Sequence, residues 1–85
     1  MIISYTKTFL KQAKKLSPEL KRQLQDHLIQ FSDNPLTPAL RNHALKGKHK
    51  DYRSINITGD VRALYLQRDD EAVFDAVGTH GQLYG

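Results

Sequence analysis

The apolar residues of this chain change period once, at Pro35-Leu36-Thr37-Pro38, and that change restricts the fold to a helical part followed by a sheet. Before it, Phe9, Leu10, Ala13 and Leu16 share one face of a helix that opens near Thr6. Lys7, Lys11, Lys14 and Lys15 take the opposite face. Ser17-Pro18-Glu19 then restarts the helix: Ser17 can cap the free amides, Pro18 suits the first helical position, and Glu19 complements the dipole. Leu20, Leu24, Leu28 and Phe31 form the second apolar stripe, which stops before Asp33-Asn34-Pro35. Two amphipathic helices with almost no linker predict a helical hairpin.

After Pro38 the helical pattern does not resume. Residues 52–57, 61–67 and 72–77 are rich in β-formers and are separated by Thr58-Gly59-Asp60 and by Arg68-Asp69-Asp70-Glu71, two polar turns. Residues 1–5, with Ile2, Ile3 and Tyr5, read as an opening strand. The expectation is an α+β fold of order β-α-α-β-β-β in a single domain, residues 1–85, with a two-helix hairpin packed on an antiparallel sheet. The helices cover one sheet face, which leaves the other free for a ligand.

A chain of 85 residues is near the lower limit at which an apolar core alone holds a fold together, and with no cysteine there is neither a disulfide framework nor a thiol nucleophile. No leader pattern and no run of membrane-spanning length is seen, so a soluble cytoplasmic protein is expected. Charge is unevenly spread. Residues 1–53 hold eleven Lys and Arg against four acids, whereas residues 54–85 hold two against five. A first part this basic favours a polyanion or an acidic protein segment as partner, although lysine-rich helices are also ordinary solvated faces.

No HExxH, Walker loop, GxGxxG or His/Cys/acid cluster at ligand spacing occurs, so neither a metal nor an organic cofactor is expected. What remains is a dispersed polar set in the second half: His43, His49, Arg53, Asn56, Asp60, Arg62, His80 and Tyr84. RNA cleavage without a metal needs a group that takes the 2′-hydroxyl proton, cations that stabilise the phosphorane, and an acid for the departing 5′ oxygen. Histidine, arginine, aspartate and tyrosine supply all three. Lys46-Gly47-Lys48-His49-Lys50 is a basic loop suited to RNA contact. His27, on the apolar stripe of the second helix, is read as a packed core-edge histidine, and Tyr65 and Phe74 as packing residues.

Three segments in order, His43-Ala44-Leu45-Lys46-Gly47, the run from Tyr52 to Tyr65, and Gly78-Thr79-His80-Gly81-Gln82-Leu83-Tyr84, resemble the YafQ branch of the RelE toxins. The resemblance extends over nearly the whole chain. It implies the toxin of a type II toxin-antitoxin system, a ribosome-dependent endoribonuclease that cuts messenger RNA in the ribosomal A site until a cognate antitoxin inhibits it. By the same resemblance, His43, Asp60, His80 and Tyr84 match the family's catalytic positions. His80 is then general acid or base, His43 or Asp60 its counterpart, and Tyr84 a stacking or proton-relay group. Arg53 and Arg62 match the strand arginines that hold the scissile phosphate, with Asn56, Lys46, Lys48, His49 and Lys50 as further RNA contacts. In two places the chain departs from the pattern: Asn56 stands where the branch usually has a histidine, and Val61 where an aromatic often follows the acid.

Two other readings keep the fold. The related ParE branch poisons DNA gyrase without nuclease residues, and the histidine segments around His43 and His80 argue against it. A non-catalytic protein that binds RNA or antitoxin is the other, suggested by Asn56.

Overall fold

The computed structural model describes residues 1–84. In chain order it has β1 (Ile2–Tyr5), α1 (Lys7–Lys14), α2 (Pro18–Asp33), β2 (His43–Ala44), β3 (Tyr52–Asn56), β4 (Val61–Arg68), β5 (Glu71–Thr79) and α3 (His80–Tyr84), with short 3-10 turns at Pro38–Leu40 and Gly47–His49. The helix starts follow from their caps. Thr6 Oγ1 accepts from the Phe9 amide, and Ser17 Oγ accepts from the Leu20 amide with Pro18 next in the chain.

The five-stranded sheet has the order β1-β5-β4-β3-β2. The meander β3-β4-β5 is antiparallel, as the sequence predicts, and β1 joins it as a parallel edge strand in the register Ile2↔Glu71 to Tyr5↔Phe74. Because β1 ends at Tyr5, the rest of the β5 edge lacks a strand partner, and Gln12 of α1 supplies one: its Oε1 accepts from the Val77 amide at 2.9 Å.

Side-chain alternation divides the sheet into two faces. Ile55, Ala63, Tyr65, Ala72, Phe74 and Val77 pack with Phe9, Leu24, Phe31 and Leu40 into the core under the helices. Phe31 lies at the centre, edge-on to Tyr65 at 4.9 Å and to Phe74 at 5.2 Å between ring centroids. Both residues read as packing in the sequence are therefore core. Leu10 is a correction: the stripe of α1 predicts it packed, yet it is 52% exposed, because the short α1 rests on β5 through Phe9 and Gln12. His27 is half-buried, with Nδ1 2.7 Å from the Gln23 carbonyl oxygen.

In β5 the register slips. Leu64 pairs with Ala76 and Tyr65 with Phe74, which leaves Asp75 as an extra residue. This bulge lets Ala72, Phe74 and Val77 all reach the core despite the change of parity, and the Asp75 carboxylate accepts from the Tyr52 hydroxyl at 2.7 Å. Among the described residues no helix is long and apolar enough to cross a membrane.

Candidate active site

Opposite the core, β3 presents Tyr52, Ser54 and Asn56, and β4 presents Arg62, Leu64 and Leu66; Asn56 pairs with Arg62 and Ser54 with Leu64. A cavity of about 550 Å³ opens on this face. Ser54, Asn56 and Arg62 line it from the sheet, His43, Leu45, Lys46 and His49 from β2 and the basic loop, Arg41 from the preceding turn, and His80 and Tyr84 from α3. Arg41, Lys46 and Arg62 are cationic, and among the described residues no carboxylate lines the cavity. Such a field favours an anionic ligand.

Each wall is held by a local device. Arg62 NH1 donates to the carbonyl oxygens of Thr58 at 3.0 Å and Gly59 at 2.8 Å, which anchors the guanidinium over the β3-β4 turn. His43 Nδ1 lies 2.8 Å from the Arg41 carbonyl oxygen, and Arg41 itself takes a left-handed backbone with φ 47°. His80 begins α3 under a reciprocal cap: the Gln82 amide donates to Thr79 Oγ1 at 3.2 Å, and the Thr79 amide donates to Gln82 Oε1 at 2.8 Å. Gly78 leaves room for that cap, since an added Cβ there would lie 2.8 Å from Gln82 Oε1. Tyr84 sits one helical turn later, its ring centroid 4.7 Å from His80 and 5.4 Å from His49.

Of the residues predicted for the site, the cavity brings together His43, Lys46, His49, Asn56, Arg62, His80 and Tyr84. Four lie outside its lining. Asp60 is exposed in the turn, and its link to the site runs through the backbone, where the His80 amide donates to the Asp60 carbonyl oxygen at 3.2 Å. Arg53 is turned to Asn42: its Nε donates to Asn42 Oδ1 at 2.8 Å, while Asn42 Nδ2 donates to the buried Tyr65 hydroxyl at 2.7 Å and to the Pro35 carbonyl oxygen at 3.0 Å. Lys48 and Lys50 are exposed on the basic loop. Conversely, Arg41, Leu45 and Ser54 line the cavity without having been predicted. Strand alternation between Tyr52 and Asn56 is the signal that finds Ser54, and Leu45 lies within the His43–Gly47 segment that carries the resemblance; Arg41 lies in irregular backbone and carries no comparable signal.

Three imidazoles, His43, His49 and His80, an anchored Arg62 beside Arg41 and Lys46, and an aromatic ring around one concave polar surface can bind a phosphodiester and move protons at it. No group of three or more His, Cys, Asp or Glu among the described residues is arranged to hold a metal ion.

Residues 1–85 match the family model for the bacterial toxin of type II toxin-antitoxin system, YafQ. Among solved structures, the chain is similar to YafQ from E. coli strain BL21(DE3), at 25% identity and a TM-score of 0.84, with 98% of this chain and 97% of that chain covered. It is also similar to a chain of the E. coli DinJ-YafQ complex, at 27% identity and a TM-score of 0.72, covering 98% and 97%. With a chain of the RelB-RelE antitoxin-toxin complex from Methanococcus jannaschii, 21% identical with a TM-score of 0.77 over 95% and 94%, it shares the fold. The search of curated proteins returned no significant match. The whole-chain match and the RelE-like fold agree: this chain belongs to the YafQ family of bacterial toxins of type II toxin-antitoxin systems.

Proposed function

We propose that the protein is an endoribonuclease that cuts messenger RNA on the ribosome without a metal, and that the cavity around His43, Arg62 and His80 is where it cuts. The observation that carries this reading is the convergence of the imidazoles of His43, His49 and His80 with Arg41, Lys46 and Arg62 around a concavity that, among the described residues, no carboxylate lines. In the reaction, the 2′-oxygen attacks phosphorus and the bond from phosphorus to the 5′ oxygen breaks.

His43 suits the base. A carbonyl oxygen only accepts, so its 2.8 Å contact with Nδ1 keeps a proton there and leaves the lone pair of the neutral ring on Nε2, free to take the 2′-hydroxyl proton. His80 then gives its proton to the departing 5′ oxygen. Arg62, already fixed by two carbonyls, offsets the charge that builds on the phosphorane and needs little reorganisation to do so. Tyr84 offers a ring on which a base can stack. Asn56 can hydrogen-bond the sugar or phosphate but cannot titrate. The ParE-like alternative is not favoured, because the chain matches the YafQ model along its whole length.

A cognate antitoxin is part of the proposal, supported by the existence of the DinJ-YafQ complex of the E. coli relative. The surface that suits it is the apolar groove of about 600 Å³ between β1 and the two helices, lined by Ile3, Tyr5, Leu10, Leu28 and Ile29 and flanked by Lys14 and Lys21. An amphipathic segment with acidic flanks complements both features.

Induced expression in a bacterial host, wild type beside His80→Ala, with 5′ ends mapped on a reporter message, tests the ribonuclease reading. Growth arrest with discrete new ends from wild type only is the expected result. Arrest by both proteins without new ends would overturn it.

A further inference from the structure

The cavity contains a feature that the proposed chemistry does not use. The two buried side-chain polar atoms that lack a hydrogen-bond partner among the described residues are Ser54 Oγ and His49 Nε2, and both residues line the cavity. Ser54 is fully buried, set between Tyr52 and Asn56 along β3, with His43 as its neighbour on β2 and Leu64 on β4. An alanine there would fill nearly the same space without a polar atom. A hydroxyl instead bears the cost of desolvation with no bond in return among the described residues, which leaves it open to a bound group.

We propose that Ser54 and His49 read the edge of a nucleobase stacked against Tyr84, and so contribute to the toxin's choice of cutting site. The inference rests on the ribonuclease reading. The cations of the cavity, Arg41, Lys46 and Arg62, are the natural seats for phosphate, whereas Ser54 is an uncharged hydroxyl and the one fully buried residue of the described lining, where bringing in a phosphate would cost much more than bringing in a neutral ring. Ring walls point the same way. Tyr84 lies 5.4 Å from His49 and 4.7 Å from His80 between centroids, at interplanar angles of 73° and 59°, so an aromatic cluster borders the same cavity as Ser54 and suits a flat neutral group. A hydroxyl both donates and accepts, and His49 Nε2 does one or the other according to its tautomer, so the pair can distinguish base edges by their donor and acceptor order. A site built to bond a polar edge rejects one that leaves it unbonded far more strongly than an apolar pocket rejects a misfit.

The test is the distribution of cuts on ribosome-bound messages that vary at every nucleotide around the cutting site, for the full chain as wild type, Ser54→Ala and His49→Phe, with thermal unfolding of each free protein alongside. Wild type is expected to prefer particular bases at one position, and each variant to flatten that preference by about tenfold, the effect of one buried polar group left unpaired. Ser54→Ala is also expected to melt no lower than wild type, because the hydroxyl it loses is unbonded in the free protein.

An unchanged distribution with Ser54→Ala would overturn the inference and leave the ribonuclease reading intact: the hydroxyl is then satisfied by water and reads nothing. A clear drop in melting temperature would overturn it as well, by revealing a partner within the fold. So would loss of all cutting by folded Ser54→Ala, since the hydroxyl then serves the chemistry. If wild type cuts no message under any condition, the ribonuclease reading falls and takes the inference with it.

Discussion

His43 Nδ1 and the carbonyl oxygen of Arg41 lie 2.8 Å apart, and this contact decides which nitrogen of His43 is available to a ligand in the cavity. With the proton kept on Nδ1, the neutral ring offers Nε2 as a base. His43→Gln is expected to lower the single-turnover rate of cleavage by on the order of 10²–10⁴, the usual contribution of one proton-transfer group. A variant that cleaved at the wild-type rate would assign the base elsewhere.

The cap between Thr79 and Gln82 fixes the start of α3 and hence His80. Gln82→Ala removes one half of it, at an expected cost of about 0.5–2 kcal/mol in local helix stability. Amide exchange in residues 80–84 should accelerate while the core strands stay protected, and cleavage should slow because His80 is less firmly held.

Arg53 is expected to matter for stability. Its Nε bonds Asn42, and Asn42 in turn satisfies the hydroxyl of Tyr65, which is 1% exposed at the edge of the core. Arg53→Ala, and more strongly Asn42→Ala, should lower the unfolding free energy by about 1–3 kcal/mol, the cost of leaving such groups unpaired. Denaturant unfolding measures this directly.

The Tyr52 hydroxyl donates to Asp75, and that bond, with burial and the nearby charges of Asp75 and Asp51, raises the phenol above its ordinary value of 10.0. A raised phenol pKa favours the protonated form in the folded state. The stabilisation is complete below the ordinary value and is lost as pH rises through the folded one. Thermal stability should therefore fall above about pH 10, and Tyr52→Phe should reduce that fall. Tyr5, raised by burial, would account for a residual dependence in the variant.

Much of the architecture is legible in the residues. Ser17-Pro18 marks the start of α2, the stripes of Leu and Phe mark the packed helix faces, and the turns at Gly59 and at Asp69-Asp70 separate the strands. The parallel placement of β1 is not legible, because Ile2 to Tyr5 give only a strand and the partner is set by where the hairpin returns the chain. The bulge at Asp75 leaves a trace, the spacing of Ala72, Phe74 and Val77, that alternation alone misreads. In the site, residues carried on recognisable segments meet at one cavity, among them His43, Arg62, His80 and Tyr84. Arg53 and Asp60 do not join its lining, since strand parity and the turn decide where a side chain goes whatever its chemistry. The cap of α3 follows a Thr-x-x-Gln pattern in Thr79-His80-Gly81-Gln82, but with no apolar run after it that pattern does not by itself announce a helix.

The most direct test of the account is a defined message on a stalled ribosome, carrying either ribose or 2′-deoxyribose at the nucleotide on the 5′ side of the cut, incubated with the wild-type chain and the ends analysed by mass spectrometry. The account requires cleavage of the ribose message alone, with a 5′-hydroxyl on the downstream fragment and a 2′,3′-cyclic or 3′-phosphate on the upstream one. Cutting of the 2′-deoxy message, or a 5′-phosphate on the downstream fragment, would contradict it, because attack by the 2′-oxygen could not then be the reaction that His43 and His80 serve.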